Sequence, residues 1–199
     1  MATSIFLNGT SSSGKTSIAR ELEKILGTEY TYFSVDDYGA NWTRQNAGRI
    51  ENLMELVKEL GQDNEEIIKQ SIELTREVVS GYYASIAKGI ERGLDYILDC
   101  ILGQPSSIED CITRLASYDI LFVGVHCPLE ILKEREIARG DRIIGTAEIQ
   151  FPHVHKGKKY DIEVHTDRTN SYNCASIITD FMKTRESRIP FSEKLFQGL

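Results

Sequence analysis

The chain has 199 residues, 41% of them hydrophobic, and 23 Lys and Arg against 30 Asp and Glu give a formal net charge of −7. That length suits one domain with a full-sized core, while the acidic balance argues against non-specific nucleic-acid binding. No apolar run is long enough to cross a bilayer, and the sequence moves into its first strand without a signal-like segment. Cys100, Cys111, Cys127 and Cys174 are widely spaced with no CxxC pair, which reads as reduced thiols in a cytoplasmic compartment.

Ser4–Asn8 is an apolar run and reads as the first strand. Gly9-Thr10-Ser11-Ser12-Ser13-Gly14-Lys15-Thr16 follows, and Ile18, Leu22, Ile25 and Leu26 continue it as a helical stripe. Strand, glycine-bounded loop, Lys-Thr, helix is the order a phosphate-binding P-loop requires. The second run, Tyr30–Val35, ends on Asp36 and Asp37. Asp63 with Glu66 reads as a capping box before a long stripe of Ile68, Ile72, Val79, Tyr82, Tyr83, Ile86 and Ile90, closed by Gly93. The third run, Asp95–Asp99, closes on a carboxylate, and Ser107 precedes a helix through Ile108, Cys111, Ile112 and Leu115. The fourth, Ile120–His126, leads to Pro128 as the first residue of a helix carrying Arg135 and Arg139, with Gly140 interrupting it before Arg142. His153 and His155 lack Cys or carboxylate partners, so a metal site is not expected there. Tyr160–His165 alternates polar and apolar residues, as an edge strand does, and Ser171 opens a helix through Ala175, Ile178 and Phe181. Strands alternating with helices imply a parallel sheet with right-handed crossovers.

The candidate chemistry follows from that order. Gly9 and Gly14 let the loop curl so that its N–H groups face an anion, and the new helix adds the positive end of its dipole. Lys15 reaches the β/γ-phosphates and the Thr16 hydroxyl holds Mg²⁺. Ligands of such sheets sit beyond the carboxyl ends of the strands, which singles out Asp36 as the base toward an alcohol and Asp99 as a carboxylate near the metal. Two plainer readings stand beside these: Asp36-Asp37 as a helix cap and Asp99 as a strand-end cap. Arg135, Arg139 and Arg142, spaced four and three apart, suit a phosphate-clamping lid. Their plainer reading is a solvated helix paired with Glu130, Glu134 and Glu136. Asp167-Arg168-Thr169-Asn170 is the candidate for the adenine end.

Phe6-Leu7-Asn8-Gly9-Thr10-Ser11-Ser12-Ser13-Gly14-Lys15-Thr16 resembles the opening of the chloramphenicol 3-O-phosphotransferase family, and Phe33-Ser34-Val35-Asp36 resembles its second-strand motif. Phe122–Cys127, Arg135-Glu136-Ile137-Ala138-Arg139-Gly140-Asp141-Arg142 and Val154–Val164 are similar to its C-terminal half. The resemblance implies an α/β P-loop kinase fold with five parallel strands ordered 2-3-1-4-5, and ATP- and Mg²⁺-dependent phosphorylation of a small-molecule alcohol. It gives Asp36 the base role, Lys15 and Thr16 the nucleotide and metal roles, and Arg135, Arg139 and Arg142 the lid. Residues 1–199 are expected to form one kinase domain, with an acceptor-covering helical segment at about 38–75 and an Arg-rich lid at about 131–150. Neither nucleic acid nor membrane is an expected partner. The chain departs from the family between Tyr38 and about Ser71, and Asp99-Cys100 stands where the family has two adjacent aspartates. Two rivals therefore stay open: a kinase for another metabolite, and an NTPase switch, although the sequence has no Asn-Lys-x-Asp element for guanine.

Overall fold

The computed structural model describes residues 4–140, 144–185 and 190–195. Its centre is β1 (Ser4–Asn8), buried at every position because it is flanked by strands on both edges and helices on both faces. β2 (Tyr30–Ser34), β3 (Asp95–Cys100), β4 (Ile120–His126) and β5 (Ile162–His165) complete a parallel sheet ordered β2-β3-β1-β4-β5. Register places Leu7 beside Asp99 and Val123, and Ser34 beside Asp99, so the carboxyl ends of β1, β2 and β3 finish together. At the edge strand β5, Val164 is buried while its neighbours Glu163 and His165 are exposed, in line with its sequence alternation.

Alternation along β1 divides the core. Ile5 and Leu7 face α1 (Lys15–Leu26) and α8 (Ser171–Thr184), packing with Ile18, Leu22, Cys174 and Ile178. Phe6 faces the other way, toward α4 (Glu65–Ile90), α5 (Pro105–Leu115) and the short α9 (Phe191–Leu195), where Phe122 and Phe191 lie 5.7 Å from it by ring centroid. The remaining helices are α2 (Val35–Gln45), α3 (Ala47–Leu60), α6 (Leu129–Arg139) and α7 (Thr146–Val154). All four cysteines are buried free thiols, and among the described residues no helix is long and apolar enough to cross a membrane.

Several boundaries differ from the sequence reading, each for a local reason. β2 stops at Ser34, not Val35, because the Ser34 side chain caps α2. The long helix is capped by Asn64, whose Oδ1 accepts the Glu66 N–H, instead of by an Asp63–Glu66 box. Its first half leaves Ile68 and Ile72 exposed and buries Ile67 alone, whereas Tyr82, Tyr83 and Ile86 in the second half pack into the core cluster with Phe6. Pro128 is the N-cap of α6, one residue before its first turn. The α7 and α9 helices have no counterpart in the sequence reading. The first starts on Gly145 in the left-handed region (φ 94°) and contains Pro152. The second is only five residues long but seats Phe191 in the core, and its buried Lys194 donates to Ile120 O (2.9 Å) and Asp161 Oδ2 (2.7 Å).

Candidate active site

The end of β1 is fixed before the loop begins. Asn8 is fully buried; its Oδ1 accepts from Leu102 N (2.8 Å), and its Nδ2 donates to Val154 O (2.9 Å) and Tyr160 Oη (2.7 Å). Gly9 then passes so close to β4 that a Cβ there would meet Val125 O at 2.5 Å and Ser13 Oγ at 2.7 Å. Ser12 (φ 63°) and Gly14 (φ 95°) both take the left-handed conformation, the local curl that turns successive N–H groups toward one side. α1 begins at once on Lys15, with no side chain capping its first amides, which leaves that turn open to an anion.

Lys15 is buried and its Nζ donates to Gly9 O (3.0 Å) and Thr10 O (2.9 Å), 3.8 Å from Asp99 Oδ1. Thr16 Oγ1 donates to Asp99 Oδ2 at 2.7 Å, and Tyr32 Oη donates to the same oxygen at 3.2 Å. Burial, then the Asp99 charge, pushes the Tyr32 phenol up to about 12, so it stays a neutral donor. The next residue, Cys100, is also buried; desolvation raises its thiol to about 11, which makes it an apolar neighbour and not a nucleophile. Thr16, in the first turn of α1, and Asp99, near the end of β3, supply two hard oxygen donors. Among the described residues no cluster of three His, Cys, Asp or Glu is arranged to hold a metal by itself. The donor set therefore fits Mg²⁺, which commonly takes one or two protein oxygens and completes its shell with phosphate and water.

Asp36 and Asp37 are both in the first turn of α2, not at a strand end. Their surroundings differ. Asp37 belongs to the cap, its N–H donating to Ser34 Oγ (3.0 Å) while Ser34 Oγ donates to its Oδ2 (2.8 Å). Asp36 lines a cleft of about 640 Å³ that also contains Lys15, Thr16 and Asp99.

The basic segment is more differentiated than its spacing suggested. Arg135 and Arg139 line the same cleft, but Arg135 is anchored: its Nη1 and Nη2 donate to Thr166 Oγ1 (2.9 Å) and Thr166 O (2.8 Å). Thr166 Oγ1 in turn donates to Ser13 O (2.8 Å), so this arginine braces the loop from the β5 side. Arg139 is the last residue of α6, stopped by Gly140 in the left-handed region (φ 69°). Arg142 lies outside the described residues. Glu136 is not a solvated partner of these arginines: it is buried and accepts from Gly145 N (2.7 Å) and Ala147 N (3.0 Å), clasping α7 onto α6. Through that clasp α7 brings Thr146 and Gln150 into the cleft, two residues not singled out in the sequence reading and marked by no motif. Of the segment suggested for adenine, Thr169 and Asn170 line the cleft, while Arg168 pairs with Asp167 (3.2 Å).

The sheet order, the loop after β1 and the position of the cleft define a P-loop kinase fold. Solved structures agree. The Mycobacterium tuberculosis APS kinase CysC, in complex with AMPPNP and APS, superposes with a TM-score of 0.62 at 17% identity over 92% of this chain and 98% of its own. Shikimate kinase from Acinetobacter baumannii gives 0.57 at 14% identity over 94% and 97%, and the Deinococcus radiodurans tunicamycin resistance protein 0.62 at 14% over 96% and 99%. No curated protein matches the sequence. The model of the chloramphenicol phosphotransferase-like family matches residues 2–183, and the chain belongs to that family. Family and fold together support a kinase-type phosphotransferase.

Proposed function

We propose that this protein transfers the γ-phosphoryl group of ATP to a hydroxyl of a small molecule. One observation carries the reading: Asp36, just beyond β2, opens onto the same cleft as the Lys15, Thr16 and Asp99 group beyond β1 and β3. A P-loop alone serves hydrolysis and transfer equally; a carboxylate sharing its cleft, here from the helix that follows β2, is what an alcohol acceptor needs.

In this reading the loop amides and the first turn of α1 hold the phosphates, and Lys15 neutralises the β/γ oxygens. Asp36 takes the hydroxyl proton as the acceptor oxygen bonds to the γ-phosphorus and the bond to the β,γ-bridging oxygen breaks, leaving ADP. Mg²⁺ held by Thr16 and Asp99 supplies neutralisation of phosphate charge when bound. Arg139 and Arg142 act from the lid at about 131–150, and Arg135 supports the loop through Thr166. Thr169 and Asn170 suit the base of the nucleotide. The segment at about 38–75 covers the acceptor within a single domain of residues 1–199. Because that segment departs from the family's sequence, chloramphenicol is one candidate acceptor among hydroxyl compounds. The buried thiols favour a reducing, cytoplasmic setting.

An ATP-consumption assay with and without a panel of alcohols, chloramphenicol and nucleosides included, tests the reading. ADP release that rises with one alcohol, matched by a phosphorylated product, supports it. Release at one rate whatever alcohol is present contradicts it and makes the protein an NTPase switch.

A further inference from the structure

The α7 helix reaches the phosphate loop with one side chain. Gln150 Oε1 accepts the Ser11 N–H at 2.8 Å, joining residues 139 positions apart. Because a backbone N–H can only donate, that contact fixes the carboxamide: its oxygen faces Ser11, and its Nε2, with two N–H donors, is the other limb. No protein partner for Nε2 exists among the described residues, and Gln150 lines the cleft together with Lys15, Thr16 and Arg139.

The helix that carries it is held firmly. Glu136 accepts from Gly145 N and Ala147 N, Lys133 pairs with Glu148 at 2.8 Å, and Ala147 packs on Leu132 and Cys127. Three independent ties thus bind α7 to α6, and Gln150 lies one turn beyond Thr146 on the same face. A donor whose amide is oriented in advance, on a residue lining a phosphate cleft, binds anions with little ordering cost.

We propose that Gln150 is a phosphate-contacting residue whose Nε2 donates to the terminal phosphoryl group of the bound triphosphate, with Ser11 N–H holding the amide in that orientation. This rests on the proposed nucleotide reading and extends it to a residue of the lid. A contact of this kind distinguishes triphosphate from diphosphate, which a purely structural latch does not.

The test is calorimetric titration of wild type, Gln150→Ala and Gln150→Glu with Mg·ADP and Mg·AMP-PNP, alongside thermal melting. Gln150→Glu keeps an acceptor for Ser11 N–H but loses both donors. The expected result is AMP-PNP affinity at least about tenfold weaker in both variants, a factor equal to about 1.4 kcal/mol, with ADP affinity within twofold of wild type. Equal weakening toward both nucleotides, or unchanged affinity for both, overturns the proposal. So does tighter AMP-PNP binding by Gln150→Ala, which would make the glutamine a competitor of phosphate, or full rescue by Gln150→Glu, which would make it a latch. Wild-type protein that binds neither nucleotide removes the nucleotide reading itself, an outcome separate from the variant comparisons.

Discussion

The phosphate side of the cleft and the arm made by α2, α3 and the first half of α4 are held by different kinds of interaction. On the phosphate side, short bonds close long loops: Thr16 to Asp99 (2.7 Å), Thr166 to Ser13 (2.8 Å), Asn8 to Val154 (2.9 Å), all buried or partly so. On the arm, α2 and α3 bury no residue and Met54, Leu60 and Ile72 are exposed; Tyr38 packs edge-on against Phe33 and Tyr82, Ile67 is buried, and the charged tie between α3 and α4 is a surface pair of Arg49 with Glu77 (2.8 Å). Low dielectric strengthens the first set, whereas solvent screens the second. The consequence is a division of labour: the loop beyond β1 is fixed by bonds to the sheet and its neighbouring loops, while the arm meets that side through the first turns of α2, at Asp36 and Tyr38.

The largest effect should come from removing the charge at the centre of the phosphate side. Lys15→Ala is expected to lower acceptor-dependent turnover by about 10²–10³-fold or more, measured as kcat for the acceptor that the ATP-consumption assay identifies. A loss below tenfold would mean that the loop does not handle the transferring group.

Stability sharpens the contrast next. Phe6→Ala removes a ring packed between Phe122 and Phe191 and is expected to cost about 3–5 kcal/mol in urea unfolding. Ile72→Ser, on the exposed face of α4, is expected to stay within about 0.5 kcal/mol. Comparable losses would show the arm to be part of the folding core.

A smaller effect concerns pH. Tyr160 Oη accepts from Asn8 Nδ2, so its own proton goes to His155 Nδ1 at 2.7 Å, which requires a neutral imidazole. Burial, followed by the nearby charge of His126, stacked at 3.9 Å, lowers the His155 value to about 3. An unfolded histidine titrates near 6.5, about the usual value, so below that pH the unfolded chain binds the extra proton. This contribution is complete above that value and is lost as pH falls toward 3. Melting temperature should therefore drop between pH 7 and 5, and less steeply in His155→Gln; identical slopes would remove His155 from the account.

Much of this was legible because buried parallel strands write themselves as apolar runs. Four of the five strands, the loop after β1 and the sheet order follow from such runs and from the family resemblance. What escaped depended on contacts between distant residues. The place of Asp37 in the α2 cap rests on one contact with Ser34, visible only once β2 ends at Ser34. Glu136 looked like a solvated charge because its partners are backbone amides of a helix that carries Pro152 and only a weak apolar stripe. Gln150 carries no motif at all; its place is set by that same clasp. Arg135 was grouped with Arg139 by spacing, yet Thr166 separates their surroundings.

The central claim is that a carboxylate beyond β2 removes a proton from an alcohol at a phosphate site built beyond β1. Parallel measurement of Mg·ATP affinity and turnover in Asp36→Asn tests it most directly. The account predicts affinity within twofold of wild type and turnover lower by about 10²–10⁴-fold; turnover at the wild-type level would contradict it.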